Sequence, residues 1–245
     1  MKRVLSVWMA AARDVLWKLL LILIAMTGAE LLLLRRGFAE VEWLLAEGYG
    51  SMTFGDAITE SKIAFVYFLA FAAVVAVCCL QGCRFSGKNV YTLQRLPMGE
   101  VPATLLWAVT HLMCLAIFWA AQLVLMLWFW RMFAMRFGAE NPALELFMVF
   151  YENGLLHSLL PLADTGRWCT IGIYFATVAF STACFGFFQR RGRFRGEICI
   201  LAALFSLSLT RKAGMDGDAI CMVICGVLAA TQIAALWEVY HGEEA

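Results

Sequence analysis

The run GCRFSGKN, Gly82 to Asn89, is the part of this chain whose residue types and spacing come nearest to known chemistry. It fits the phosphate-loop pattern G-x-x-x-x-G-K-[ST] at every place but the last. A working loop of that kind needs a strand before it, a helix opening with free N–H groups after it, and a Ser or Thr hydroxyl for magnesium. Here a long apolar run precedes it and Asn89 stands where the hydroxyl belongs. The two glycines therefore read as a loosened exit from a helix, and no nucleotide or other cofactor is expected on this chain.

Other reactive residue types are scattered. The three histidines, His111, His157 and His241, fall in three different segments, and the nine cysteines lie almost all inside or beside apolar runs. Zinc needs paired ligands at matched spacing, so no metal site is expected. Cysteine in such surroundings packs as a small hydrophobe, with palmitoylation of the Cys78, Cys79 and Cys83 group as the alternative. There is no Ser/His/Asp set, no facing pair of carboxylates and no HExxH, so the chain offers no catalytic residues and is not expected to be an enzyme. What remains are polar groups inside apolar runs: Glu30, His111, Gln122 and Gln232. Such groups are costly in a membrane and tend to face other helices or a pathway. Glu30 and Gln122 are the candidates for a translocation path.

The elements that would position these groups are membrane helices. Of the 245 residues, 63% are hydrophobic and 15% charged, and the mean hydropathy is +0.79. Globular domains carry about a quarter charged residues. A net charge of +1 gives no electrostatic case for nucleic acid. Spanning the hydrocarbon takes about 20 apolar residues, and six stretches are read as spans: 15–34, 63–80, 103–130, 168–188, 198–209 and 219–237. The fifth is short unless its polar flanks snorkel. The expectation is one all-α transmembrane domain over residues 1–245, with six spans and no cleaved leader.

Before the first span, Lys2, Arg3, Arg13 and Lys18 alternate with Val4, Leu5, Trp8, Met9 and Leu16. That pattern suits either an interfacial helix or a basic lead-in to the span. Lys and Arg are denser on the side of the N-terminus, above all in RRGRFR from Arg190 to Arg195. The positive-inside rule then puts both termini in the cytoplasm of a cell-membrane protein. The two long outer segments, 35–62 and 131–167, carry helical apolar spacing at 40–46 and 144–151.

Between spans two and three, Val90, Leu93 and Leu96 alternate with Thr92, Gln94 and Arg95, and Pro97 and Gly99 follow. This predicts a short cytoplasmic amphipathic helix, either a docking knob for a soluble protein or a helix lying on lipid. The run YTLQRLPMGE, Tyr91 to Glu100, resembles the T-L-x-R-L-P stretch of permease subunits of bacterial ABC-type exporters of the type-2 family. The basic start, six spans and internal termini are similar in outline. The departures are Gly99-Glu100, where that family carries a small polar and a basic residue, and the short fifth span.

The resemblance implies a coupling helix in which Thr92, Leu93, Gln94, Arg95, Leu96 and Pro97 dock onto a separate ABC-type ATPase subunit. It also implies a second permease copy or a sister permease. The alternative class is an ATPase-independent membrane protein, such as an ion-coupled transporter or an immunity or assembly factor.

Overall fold

The structure is a computed structural model of the whole chain. It describes residues 2–48, 53–81, 83, 99–138, 141–162, 164–193, 196–210 and 215–242. Among these the regular elements are all helices. In chain order they are α1 (Lys2–Ala46), α2 (Phe54–Glu60), α3 (Ile63–Gln81), α4 (Glu100–Phe137), α5 (Pro142–Glu152), α6 (Gly154–Leu159), α7 (Thr165–Arg190), α8 (Glu197–Thr210) and α9 (Met215–Gly242). Five of them, α1, α3, α4, α7 and α9, are long and apolar enough to cross a membrane.

Their surfaces are apolar on the outside as well as the inside. Leu32, Val124 and Val223 are each more than 60% exposed, the pattern of helices whose solvent is lipid. Inside, aromatic side chains knit the bundle. Phe71 stacks on Phe205 with ring centroids 3.8 Å apart, and Tyr67 stacks on Phe118 at 5.2 Å. The Tyr174 hydroxyl donates to the Leu201 carbonyl oxygen at 2.8 Å, tying α7 to α8.

Two expectations change at the level of elements. The N-terminal stretch is not a separate interfacial helix: α1 runs unbroken for 45 residues, about 68 Å at 1.5 Å per residue. It absorbs both the basic start and the 40–46 segment that the sequence suggested as a separate outer helix. No proline interrupts it, and Arg35 and Arg36 are exposed, so neither stops the helix. The fifth apolar stretch forms α8, whose 14 residues span about 21 Å. The outer helix expected at 144–151 is present as α5. The amphipathic helix expected around Val90 to Pro97, with its docking residues Thr92 to Pro97, lies outside the described residues.

Side-chain pairs fix the direction of each helix. Glu30–Gln122, Phe38–Phe133 and Glu42–Arg136 rise together, so α1 and α4 run the same way. Glu100–Arg191, His111–Thr182 and Trp119–Trp168 run oppositely, so α7 is antiparallel to α4. Arg167–Asp218 and Ser181–Gln232 again rise together, making α7 and α9 parallel. Two consecutive long helices can be parallel only if the chain returns between them, and α8 makes that return. Tyr67–Phe118 and Gln81–His111 run oppositely, so α3 is antiparallel to α4. The start of α1, the end of α3, the start of α4, the end of α7 and the end of α9 therefore share one face. The opposite face carries α2, α5 and α6.

That opposite face is closely built. Thr53 and Asp56 form a reciprocal cap on α2. Asn153 caps α6 while its amide donates to the Gly55 carbonyl oxygen and to Thr59 Oγ1, each at 3.2 Å. Gly37 lets α1 touch α2: a Cβ there would sit 3.0 Å from the Ala57 carbonyl oxygen and 3.1 Å from Ser61 Cβ. Gly28, on the same helix, has nothing within 4 Å. Gly37→Leu is expected to cost about 1–3 kcal/mol through overpacking. Gly28→Leu should be neutral or gain up to about 1 kcal/mol from helix propensity. Thermal unfolding of both variants in detergent checks the contrast.

Candidate functional site

Polar side chains inside the bundle meet in pairs across helix seams. Glu30 on α1 and Gln122 on α4 are both fully buried, at 0% exposure. Gln122 Nε2 lies 3.0 Å from each carboxyl oxygen of Glu30 and donates to them. Gln122 Oε1 is buried and has no hydrogen-bond partner among the described residues. Tyr67 of α3 is within electrostatic reach of Glu30, and its ring packs on Phe118, one turn from Gln122. Thus the two residues that the sequence offered for a path are brought together, from positions 92 residues apart, at the seam of α1 and α4.

A second group lies nearer the face shared by the termini. His111 Nε2 faces Gln81 of α3 at 3.0 Å, and Nδ1 faces Thr182 of α7 at 2.8 Å. The Thr182 hydroxyl also donates to the Ala179 carbonyl oxygen at 2.9 Å. The neighbouring Ser181 turns to α9, where Gln232 Nε2 donates to its hydroxyl oxygen at 2.8 Å. Adjacent residues of α7 thus serve two seams. His111 is 11 residues from Gln122, about 16 Å along α4, and the two groups stay separate. Hydrogen bonds of this kind between membrane helices are worth about 0.6–2 kcal/mol each.

Sequence reasoning missed the strongest polar tie. Arg167 at the start of α7 and Asp218 at the start of α9 pair at 2.5 Å, with side-chain exposure of 6% each. Arg167 Nη2 also donates to Ser158 of α6 at 3.1 Å. Beside this pair, Trp119 donates through Nε1 to the Leu159 carbonyl oxygen at 3.0 Å and meets Trp168 edge to face. These contacts close the α6 end of a small aromatic chamber lined by Tyr67, Tyr174 and Phe205. The signal was present: Arg167 abuts a span and Asp218 is the last acid before an apolar run.

The cysteines are free thiols. Cys83, just beyond α3, is buried, and its Sγ donates to the Cys79 carbonyl oxygen at 3.1 Å. Burial pushes this thiol up from its ordinary range, with Arg190 working against the shift. Among the described residues, no three His, Cys, Asp or Glu side chains come together as a metal site.

No protein-family model, curated protein or solved structure matches this chain. The functional reading therefore rests on its own residues.

Proposed function

We propose that this chain is the membrane-spanning permease subunit of an ATP-driven ABC-type transporter, an exporter, that couples to a separate ATPase subunit through the loop 83–101. The observation that carries the reading is where that loop leaves the bundle. It joins the end of α3 to the start of α4, on the face shared by the start of α1 and the end of α9. The helix ends that flank the T-L-x-R-L-P segment thus lie on the same face as the start of α1 and the end of α9, the side to which the Lys and Arg distribution points as cytoplasmic.

In this reading the chain crosses the membrane six times, through α1, α3, α4, α7, α8 and α9. The parallel course of α7 and α9 supports α8 as the short sixth crossing, with its polar ends reaching the interfaces. The ATPase docks on Thr92, Leu93, Gln94, Arg95, Leu96 and Pro97. A second permease copy or a sister permease completes the pathway. Closure of the ATPase pair pushes the loop, and α4, helical without a break from Glu100 to Phe137, carries the push to Gln122 and hence to its bond with Glu30.

The test is co-purification. Tagged protein is expected to retain a nucleotide-hydrolysing subunit, and L93D/R95D/L96D should abolish both retention and transport. Recovery of no ATPase, together with unchanged activity of the triple variant, would sink the reading. One observation favours a second reading, an ion-coupled transporter: the Glu30 carboxyl is fully buried and forms no ion pair among the described residues. Transport that continued without nucleotide but failed in a Glu30 variant would select it.

A further inference from the structure

At the end of the bundle away from the termini, α1, α2, α4 and α5 enclose a pocket of about 530 Å³, a size usual for small-molecule sites. Its level follows from helix length. Glu100 and Arg191 pair at 3.2 Å on the face shared by the termini, and Trp130, on the pocket lining, lies about 45 Å further along α4 at 1.5 Å per residue. The hydrocarbon core is about 30 Å thick, so the pocket stands at the opposite membrane surface, where water reaches it.

One wall is aromatic. Trp130, Phe133 and Phe137 of α4 share a helix face, at spacings of three and four. Phe54, at the start of α2, meets Trp130 edge to face with ring centroids 5.6 Å apart. The other wall is α5, where Glu145 and Glu152 flank Met148. These two acids are two turns apart on one face, about 10 Å along the axis. They are the only charged side chains on the described lining, and neither carboxylate makes a hydrogen bond or ion pair among the described residues. Neighbouring acids are engaged elsewhere. Asp56 accepts from Thr53 N and Oγ1 at 2.9 and 2.7 Å, and Glu42 accepts from Arg136 at 2.7 Å. That last bond also takes up the base that lies between Phe133 and Phe137 in sequence. Arg131 is one residue from Trp130 and so is turned off the aromatic face.

The lining selects the occupant. Two carboxylates without a counter-charge repel an anion. Among the described residues, no third His, Cys, Asp or Glu joins them to hold a metal ion. Aromatic rings attract a cation within about 6 Å of their centroids, and they take its apolar body out of water. We infer that this pocket binds a small organic cation with an apolar body, of the quaternary ammonium or phosphonium class. The body lies against Phe54, Trp130 and Phe133, and the charge is held between Glu145 and Glu152. The site uses neither the Glu30 seam nor the loop 83–101, so it is independent of the transport reading.

Tetraphenylphosphonium and tetraphenylborate are probes of matched shape and opposite charge. The full chain in an uncharged detergent is titrated with each by calorimetry, with Tm as a second readout. The phosphonium is expected to bind once per chain and to raise Tm, and the borate should not compete with it. E145Q/E152Q should weaken the phosphonium by about fivefold or more, since two charge pairs are lost. Both side chains lack partners, so the variant is expected to keep its fold, checked by circular dichroism. E152K, a change at an exposed position, carries the same test alone if the double variant is unstable. E40Q removes an exposed acid off the lining and should leave binding unchanged, which separates a local site from overall charge. Equal phosphonium binding by the wild type and the Glu145 and Glu152 variants would overturn the proposal. So would an equal loss in E40Q, or the absence of saturable binding.

Discussion

Replacing Asp218 by Asn is expected to destabilise the bundle by about 3–5 kcal/mol, because it leaves the Arg167 guanidinium buried without its counter-charge. For a chain of this length that corresponds to a fall in Tm of roughly 10 °C, read by circular dichroism in detergent. Arg167→Leu should cost a similar amount by stranding the carboxylate. The double variant R167L/D218L is expected to return most of the loss, since a buried ion pair replaced by apolar groups of similar volume is often neutral. The coupling follows from position as well as charge: the pair joins the first turns of two parallel helices, and through Ser158 it also holds α6. Ser158→Ala removes the hydroxyl that accepts from Arg167 at 3.1 Å and donates to the Gly154 carbonyl oxygen at 2.8 Å, and should cost about 1–2 kcal/mol. If R167L/D218L were as unstable as the single variants, the pair would be the wrong account of this seam.

Composition and the long apolar runs were enough to read a helical membrane protein, because 15% charged residues is well below the roughly one quarter usual in globular domains. The polar residues that lie alone in apolar runs were legible for the same reason. Glu30, His111, Gln122 and Gln232 all proved to be seam residues with named partners. Their partners were less legible: Gln81, Thr182 and Ser181 lie on helices where serine, threonine and a terminal glutamine raise no suspicion. Arg167 and Asp218 were hidden because each sits at a span end, where an exposed charge is the ordinary reading. The end of α1 was misjudged because Arg35-Arg36 looks like a border. Long side chains reach out from a continuing helix as readily as from a loop, and the stop signal comes only at Gly48, whose positive φ of 84° follows the last turn of α1. Gly37 offered a false one, since its role is close approach to α2.

The Glu30–Gln122 pair separates stability from transport by one set of variants. Gln122→Leu leaves a buried carboxyl without its donor and is expected to cost at least about 1–3 kcal/mol. Glu30→Leu leaves the Gln122 amide with neither its donor nor its acceptor matched, and should cost a similar amount. Removing both partners lets the seam close as hydrocarbon, so E30L/Q122L should recover near wild-type stability. If the pair serves only to hold α1 to α4, that double variant also keeps full activity. On the proposed reading it does not. The neighbouring contacts Phe38–Phe133 and Arg136–Glu42 still fix the helices, yet the polar group that responds to movement of α4 is gone. Transport by the reconstituted complex is expected to fall by an order of magnitude or more, corresponding to about 1.4 kcal/mol or above. The exchange E30Q/Q122E, which rebuilds the pair with carboxyl and amide on opposite helices, should restore stability and part of the activity. A stable E30L/Q122L that transports like the wild type would remove the pair from the path and leave it as a structural tie of the same kind as Ser181–Gln232.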